Sequence, residues 1–129
     1  MRTTIALAAL ALSACATTPV PTSDSKPIPP LDASYQAGTP VTIKRDARLA
    51  GAACSIRVFV DGKPAADLRA RERVQLRVAP GEHVFSVHPN GLCGGGLREV
   101  ARDVPADGAI AFRIGYGGAG DLSINPTSF

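Results

Sequence analysis

The sequence predicts an all-β domain over residues 39–129, built as a small antiparallel sandwich of two sheets. Apolar and polar residues alternate in several short runs, which is the period of a strand with one buried face. Asp-Gly, Pro-Gly and Asn-Gly dipeptides end three of these runs, and such dipeptides form tight turns between antiparallel strands. Seven or eight short strands in about 90 residues favour a sandwich.

The alternation is clearest in the runs 56–60, 74–78, 83–87 and 110–114. Weaker strand candidates are 41–44, 66–69, 99–104 and 122–124. The stretch 65–78 is rich in Ala, Leu and Arg, so its first half could also form a helix. Residues 122–129 leave two interpretations open, a last strand or a loose tail.

The first 14 residues have the pattern of an export signal peptide. Arg2 supplies a positive start, and the eight apolar residues that follow at 5–12 are too few to cross a bilayer core of about 30 Å. The tetrapeptide Leu12-Ser13-Ala14-Cys15 resembles the bacterial lipobox. That resemblance implies cleavage before Cys15 and lipidation of its thiol. The alternative is an ordinary secretory peptide with a chance cysteine.

Lipoproteins of this kind carry two or three acyl chains, which gives a stable anchor. Residue 16 is Ala rather than Asp, and in the Gram-negative sorting pattern this implies the outer membrane. We therefore expect a lipid-anchored protein on the periplasmic face of that membrane. Five prolines in residues 15–38 predict a disordered tether. If extended, it would hold the domain up to about 70 Å from the membrane.

The runs VFVDGK at 58–63 and LRVAPGEHVFSV at 76–87 resemble a PEGA-type β domain. In that family one strand ends in Asp-Gly and a later one ends in Pro-Gly-x-His. The resemblance implies an immunoglobulin-like or transthyretin-like sandwich of exported and surface proteins, and it implies no reaction. Two further cysteines and a glycine-rich stretch at 94–96 are not part of the family pattern.

Cys54 and Cys93 remain once Cys15 is lipidated, and in an oxidising compartment a disulfide between them is expected. The alternative is a nucleophilic Cys93 beside the glycine-rich stretch, with His83 or His88 as its base. The flanking residues match no cysteine-hydrolase pattern, and no helix follows that would lower the pKa of the thiol. We therefore predict no catalytic residue.

No cofactor or metal ion is predicted. The glycines at 94–96 lack the Lys-Ser/Thr ending of a phosphate-binding loop and the spacing of a dinucleotide fingerprint. His83 and His88 are an odd number of residues apart, so one strand would place them on opposite faces. They could not chelate one metal ion from that strand alone.

The formal net charge is +3, and removal of Arg2 with the signal peptide leaves 13 basic against 11 acidic residues. The two signs are interleaved, which disfavours nucleic-acid binding. Arg71, Arg73 and Arg77 are predicted to share one strand face. This face is either solvated or a docking strip for an anionic envelope partner, such as a polymer or an acidic protein.

The sequence therefore predicts a membrane-anchored periplasmic lipoprotein that is not an enzyme and serves as a binding or structural module of the envelope. One alternative is an inhibitor or accessory subunit of an envelope enzyme or secretion assembly. A second alternative is an enzyme that depends on Cys93.

Overall fold

A computed structural model describes residues 18–47, 54–117 and 121–129. Within them, nine strands form two sheets, which confirms the predicted all-β sandwich. The five-stranded sheet has the order β1-β5-β2-β8-β9 and the four-stranded sheet the order β4-β3-β6-β7. The strands are β1 Lys26–Ile28, β2 Thr39–Arg45, β3 Ile56–Val60, β4 Lys63–Leu68, β5 Glu72–Val78, β6 Gly81–Pro89, β7 Arg98–Val104, β8 Ile110–Tyr116 and β9 Leu122–Pro126.

The sheets are not wholly antiparallel, which corrects the prediction. The pairs β1–β5 and β2–β8 are parallel, whereas the other strand pairs of the described residues are antiparallel. β2 and β8 are neighbours in one sheet, and four of the five strands that separate them in sequence lie in the other sheet: β3, β4, β6 and β7. The long connection that a parallel pair requires is thus supplied by the second layer of the sandwich.

The core lies between the sheets and consists mainly of Val, Leu and Ile side chains, as a chain with no Trp and four Phe requires. Phe85 of β6 and Phe112 of β8 are fully buried and join the two layers, with ring centroids 4.5 Å apart. Burial of such residues supplies most of the folding free energy of a small domain.

The Asp-Gly turn predicted after β3 is present. Asp61 and Gly62 both have positive φ, at 50° and 78°, as a two-residue hairpin turn requires. The region with helical potential at 65–78 forms β4 and β5 instead, joined by a short turn. The chain after residue 121 forms a last strand, β9, which pairs with β8.

The two ends of the sandwich differ. At one end the even-numbered strands finish and the odd-numbered strands begin, and Cys54 and Cys93 lie there. We call it the disulfide end. At the other end, the hairpin end, are the Asp61-Gly62 turn and the turns at 79–80 and 105–109.

Residues 18–38, which we call the N-terminal segment, are not the disordered tether predicted from their prolines. They include β1, which pairs with β5, and two single 3₁₀ turns at Thr22–Asp24 and Ala33–Tyr35. Val20, Ser25 and Tyr35 are each less than one-tenth exposed. Proline is compatible with this arrangement because β1 is an edge strand, where a missing N–H costs little.

The first described residue is already fixed to the sandwich. Thr18 and Ala47 donate their backbone N–H groups to each other's carbonyl oxygens, at 3.1 and 3.0 Å. Ala47 follows β2 at the disulfide end. Only residues 16 and 17 therefore separate Cys15 from the folded domain, so the predicted reach of about 70 Å is wrong.

Candidate functional site

The disulfide end brings together the predicted cysteine pair. Cys54 and Cys93 form a disulfide with their Cα atoms 6.0 Å apart, which confirms the pairing. Cys54 precedes β3, and Cys93 lies in the connection from β6 to β7. A nucleophilic Cys93 would therefore require reduction of this bond. His83 cannot serve as its base, because it lies at the hairpin end.

Arg45 occupies the interior of the disulfide end. Its side chain lies on the face of β2 that points into the core and is 1% exposed. The guanidinium donates hydrogen bonds to the carbonyl oxygens of Cys54 and Leu68. The guanidinium also lies 5.6 Å from the centre of the Tyr116 ring. Burial lowers the pKa of Arg45 from its usual value. This cation connects the end of one sheet to the end of the other.

The glycine-rich connection is held at two points. One is the disulfide at Cys93, and the other is the hydroxyl of Tyr116, which donates to the carbonyl oxygen of Gly94 at 2.5 Å. Leu92 lies between β6 and the disulfide, and its side chain is completely exposed. A large apolar side chain is therefore exposed to solvent directly beside a covalently held residue.

Asp46 is a buried carboxylate at the same end of β2. It is 2% exposed and accepts hydrogen bonds from Nε of Arg113 at 2.9 Å on both of its oxygens. This interaction with Asp46 raises the pKa of Arg113. A buried carboxylate is costly without a cation, so the pair stabilises the end of β2 against β8.

The hairpin end contains a second cluster of ionisable groups. His83 places Nδ1 2.5 Å from Oδ2 of Asp61 and Nε2 2.7 Å from the carbonyl oxygen of Ala79. Both ring nitrogens therefore face acceptors, which favours the protonated ring. Its hydrogen bond to Asp61 raises the pKa of His83, and the backbone N–H of Val84, followed by His83, lowers the pKa of Asp61.

A cleft of about 410 Å³ opens beside this pair, between the N-terminal segment and the β3–β4 hairpin. Its charged groups already have partners within the chain. Lys63 contacts Asp32 at 3.3 Å and donates to Ser34 at 2.8 Å, while Arg77 donates to the carbonyl oxygen of Gly38 at 3.2 Å. The arrangement supports the β3–β4 turn and does not resemble an acid–base pair directed at a substrate.

The predicted arginine strip is only partly formed. Arg73 and Arg77 lie on the same face of β5, but Arg71 precedes the strand in a turn, with φ at 65°. Arg73 donates to the carbonyl oxygens of Thr22 and Ser25 and to the hydroxyl of Ser25. Arg73 thus fastens the N-terminal segment to β5, and it is half-buried as a result.

The outer face of the four-stranded sheet has a second cleft, also of about 410 Å³. Phe59 and Val84 line it and are partly exposed, and Leu97 at its rim is 47% exposed. Across this face, Ser86 donates to Glu99 at 3.1 Å. Partly exposed apolar side chains around a cleft are a feature of surfaces that bind other proteins.

Three consecutive charged residues are each at most 2% exposed, a burial that was not predicted from the sequence: Lys44, Arg45 and Asp46. Lys44 was expected only as the last residue of the weak strand candidate 41–44. Its ammonium group lies 3.4 Å from the hydroxyl of Thr22 and 5.2 Å from the centre of the Phe129 ring. Burial lowers the pKa of Lys44. Three consecutive charged residues at the end of a strand candidate were the signal for a special site in the sequence. The groups that bury them come from distant parts of the chain and could not be identified from it.

Among residues 18–47, 54–117 and 121–129, no group of three or more potential ligand side chains could hold a metal ion. No helix in the same residues has the length and hydropathy to cross a membrane. Cys15 and the predicted signal peptide lie outside the described residues. Comparison with protein-family models, curated proteins and solved structures finds no match.

Proposed function

We propose that this chain is a lipoprotein of the bacterial envelope, anchored through Cys15 and serving as a non-catalytic binding or structural module. The observation that carries the proposal is the tetrapeptide Leu12-Ser13-Ala14-Cys15 directly after an apolar run of signal-peptide length. Ala16 favours the periplasmic face of the outer membrane as its destination.

The folded part of the chain is compatible with this location. A disulfide between Cys54 and Cys93 suits an oxidising compartment such as the periplasm. Thr18, three residues after Cys15, is already bonded to Ala47, so a mature chain that starts at Cys15 would contain the whole described domain. The ionisable clusters at both ends have partners within the chain, which supports a structural role for them.

Metabolic labelling with a palmitate analogue in Gram-negative cells tests the proposal. The wild-type chain is expected to take up label and float with outer-membrane vesicles in a density gradient. Substitution Cys15→Ser should abolish both, whereas the double substitution C54A/C93A should keep the label. Equal labelling of the wild type and C15S would refute the proposed anchor.

The second cleft favours one alternative, an accessory subunit or inhibitor that binds an envelope enzyme or secretion assembly. Phe59, Val84 and Leu97 would supply the apolar centre of the interface. Crosslinking in intact cells tests this function. One recurrent partner that is lost in the variant F59D/V84D, and retained in a variant such as Ala106→Asp at the hairpin end, would support it. An unchanged set of crosslinks would exclude this cleft as the interface.

A further inference from the structure

The short connection between Cys15 and Thr18 determines how close the domain lies to the bilayer. Three residues of extended chain span at most about 11 Å, at about 3.6 Å per residue. The polar headgroup layer is itself about 5–8 Å thick on each side of the hydrocarbon core. A lipid on Cys15 would therefore hold Thr18 at the membrane surface.

The contacts of Thr18 also select which part of the domain faces the membrane. Thr18 is hydrogen-bonded to Ala47, two residues beyond Arg45. Arg45 donates to the carbonyl oxygen of Cys54, and Cys54 is bonded to Cys93. These successive contacts place the attachment point and the glycine-rich connection at the same end of the sandwich.

Leu92 has the properties of a membrane contact. Its side chain is completely exposed, although burying a leucine in an apolar environment is favourable. It is held next to the disulfide, and Gly94 is held by Tyr116, so little ordering is needed when the side chain enters lipid. An exposed apolar residue at the attached end of a lipid-anchored domain has the bilayer as its nearest apolar neighbour.

We infer that the disulfide end rests on the membrane and that Leu92 inserts into the interfacial layer of the bilayer. This inference rests on the proposed lipid anchor at Cys15. It makes Leu92 a second, weak membrane contact that fixes the orientation of a domain already attached by its acyl chains. The hairpin end and its cleft would then point away from the bilayer.

Electrostatic attraction plays a minor part in this orientation. Among the described residues at the disulfide end, Lys26, Arg69, Arg71 and Arg98 are exposed cations, Asp121 is an exposed acid and Glu72 is a partly exposed acid. The acidic groups offset part of this positive charge, and salt screens what remains beyond a Debye length of about 8 Å. Insertion of Leu92 is therefore expected to depend little on the fraction of anionic lipid.

Tryptophan fluorescence tests the inference, because the chain contains no Trp and a single substitution introduces one fluorophore. The variant Leu92→Trp is purified from membranes in its lipidated form and placed in vesicles of phosphatidylethanolamine and phosphatidylglycerol. Lipids brominated on their acyl chains then quench a Trp that enters the bilayer. Leu31→Trp is the matched control, because Leu31 is 53% exposed and bonds to Ala65, away from the disulfide end.

We expect L92W to show blue-shifted emission in vesicles and several-fold stronger quenching than L31W, with only a small change when phosphatidylglycerol is omitted. Equal quenching of the two variants, in protein that is acylated and floats with the vesicles, would overturn the inference and leave the anchor standing. A purified wild-type chain without acyl mass would overturn both. Intact mass under non-reducing conditions verifies that each variant retains its disulfide.

Discussion

Thr18 and Ala47 exchange two backbone hydrogen bonds and so join the start of the described chain to the end of β2. This contact changes the expected relation between domain and membrane. A proline-rich stretch that resembles a spacer is instead part of the sandwich, and residues 16 and 17 alone separate it from Cys15. If Cys15 is acylated, the domain lies against the bilayer and not at a distance from it.

The first prediction concerns the attachment of the N-terminal segment. Arg73→Gln removes a charged donor from Thr22 and Ser25, and charged hydrogen bonds are worth more than neutral ones. The free energy for local opening of residues 18–38 should fall by about 1–2 kcal/mol. Hydrogen exchange of the amides in this segment measures the change.

Arg77→Gln is the control for this experiment, since Arg77 is exposed. The substitution removes its 3.2 Å hydrogen bond to the carbonyl oxygen of Gly38. It should lower the opening free energy by less than about 0.5 kcal/mol. Equal protection of the segment in R73Q and in the wild type would show that Arg73 does not fasten it.

The second prediction concerns the disulfide. It closes a sequence separation of 39 residues, and the chain-entropy model gives about 4 kcal/mol for a loop of that length. The double substitution C54A/C93A should lower the free energy of unfolding by up to that amount. Urea denaturation of the purified domain measures it. A loss below about 1 kcal/mol would mean that the unfolded chain is not restricted as this model assumes.

The third prediction compares two ion pairs of similar geometry. Arg113→Gln leaves the carboxylate of Asp46 buried beside a neutral group, and should cost about 2–3 kcal/mol of unfolding free energy. Arg57→Gln disrupts the pair with Asp67, whose side chains are 39% and 31% exposed, and should cost less than about 1 kcal/mol. Thermal or urea unfolding gives both values. The opposite ranking would contradict the burial argument.

The fourth prediction concerns pH. The folded protein raises the pKa of His83 above 6.5, chiefly through the hydrogen bond to Asp61. The stabilisation is therefore fully present below about pH 6.5, and is lost as pH rises through the raised pKa of the folded state. Asp61 has a lowered pKa, so its contribution is present above about pH 3.8 and is lost as pH falls through the lowered value.

His83→Gln should consequently destabilise the domain more at about pH 5.5 than at about pH 9. The difference should be about 1 kcal/mol, because Asp61 is half exposed and water screens the pair. His88→Gln, the same exchange at an exposed position of the same strand, is the matched control. A loss in H83Q that is independent of pH would mean that the ring acts by packing alone.

The strands, turns and disulfide were predictable because their signals are local. Alternation marks β3, β5, β6 and β8, and the Asp61-Gly62 turn follows from dihedral angles that these two residues tolerate. With Cys15 assigned to lipidation, the two remaining cysteines left one intramolecular pairing. These features depend on neighbours in sequence or on simple counting.

The N-terminal segment and the buried charges were not predictable in this way. β1 is three residues long and contains a proline, so its strand pairing depends on β5 rather than on its own composition. Arg45 is buried because carbonyl oxygens from two other strands converge on it. Lys44 is covered by Thr22 and Phe129, which lie far from it in sequence.

The most direct test of the proposed function is the intact mass of the mature protein, extracted from bacterial membranes with detergent under non-reducing conditions. We predict a chain that begins at Cys15, carries the mass of two or three acyl chains, and lacks two hydrogens because of the disulfide between Cys54 and Cys93. A chain that retains residues 1–14, or that begins at Cys15 without added lipid mass, would contradict the proposal.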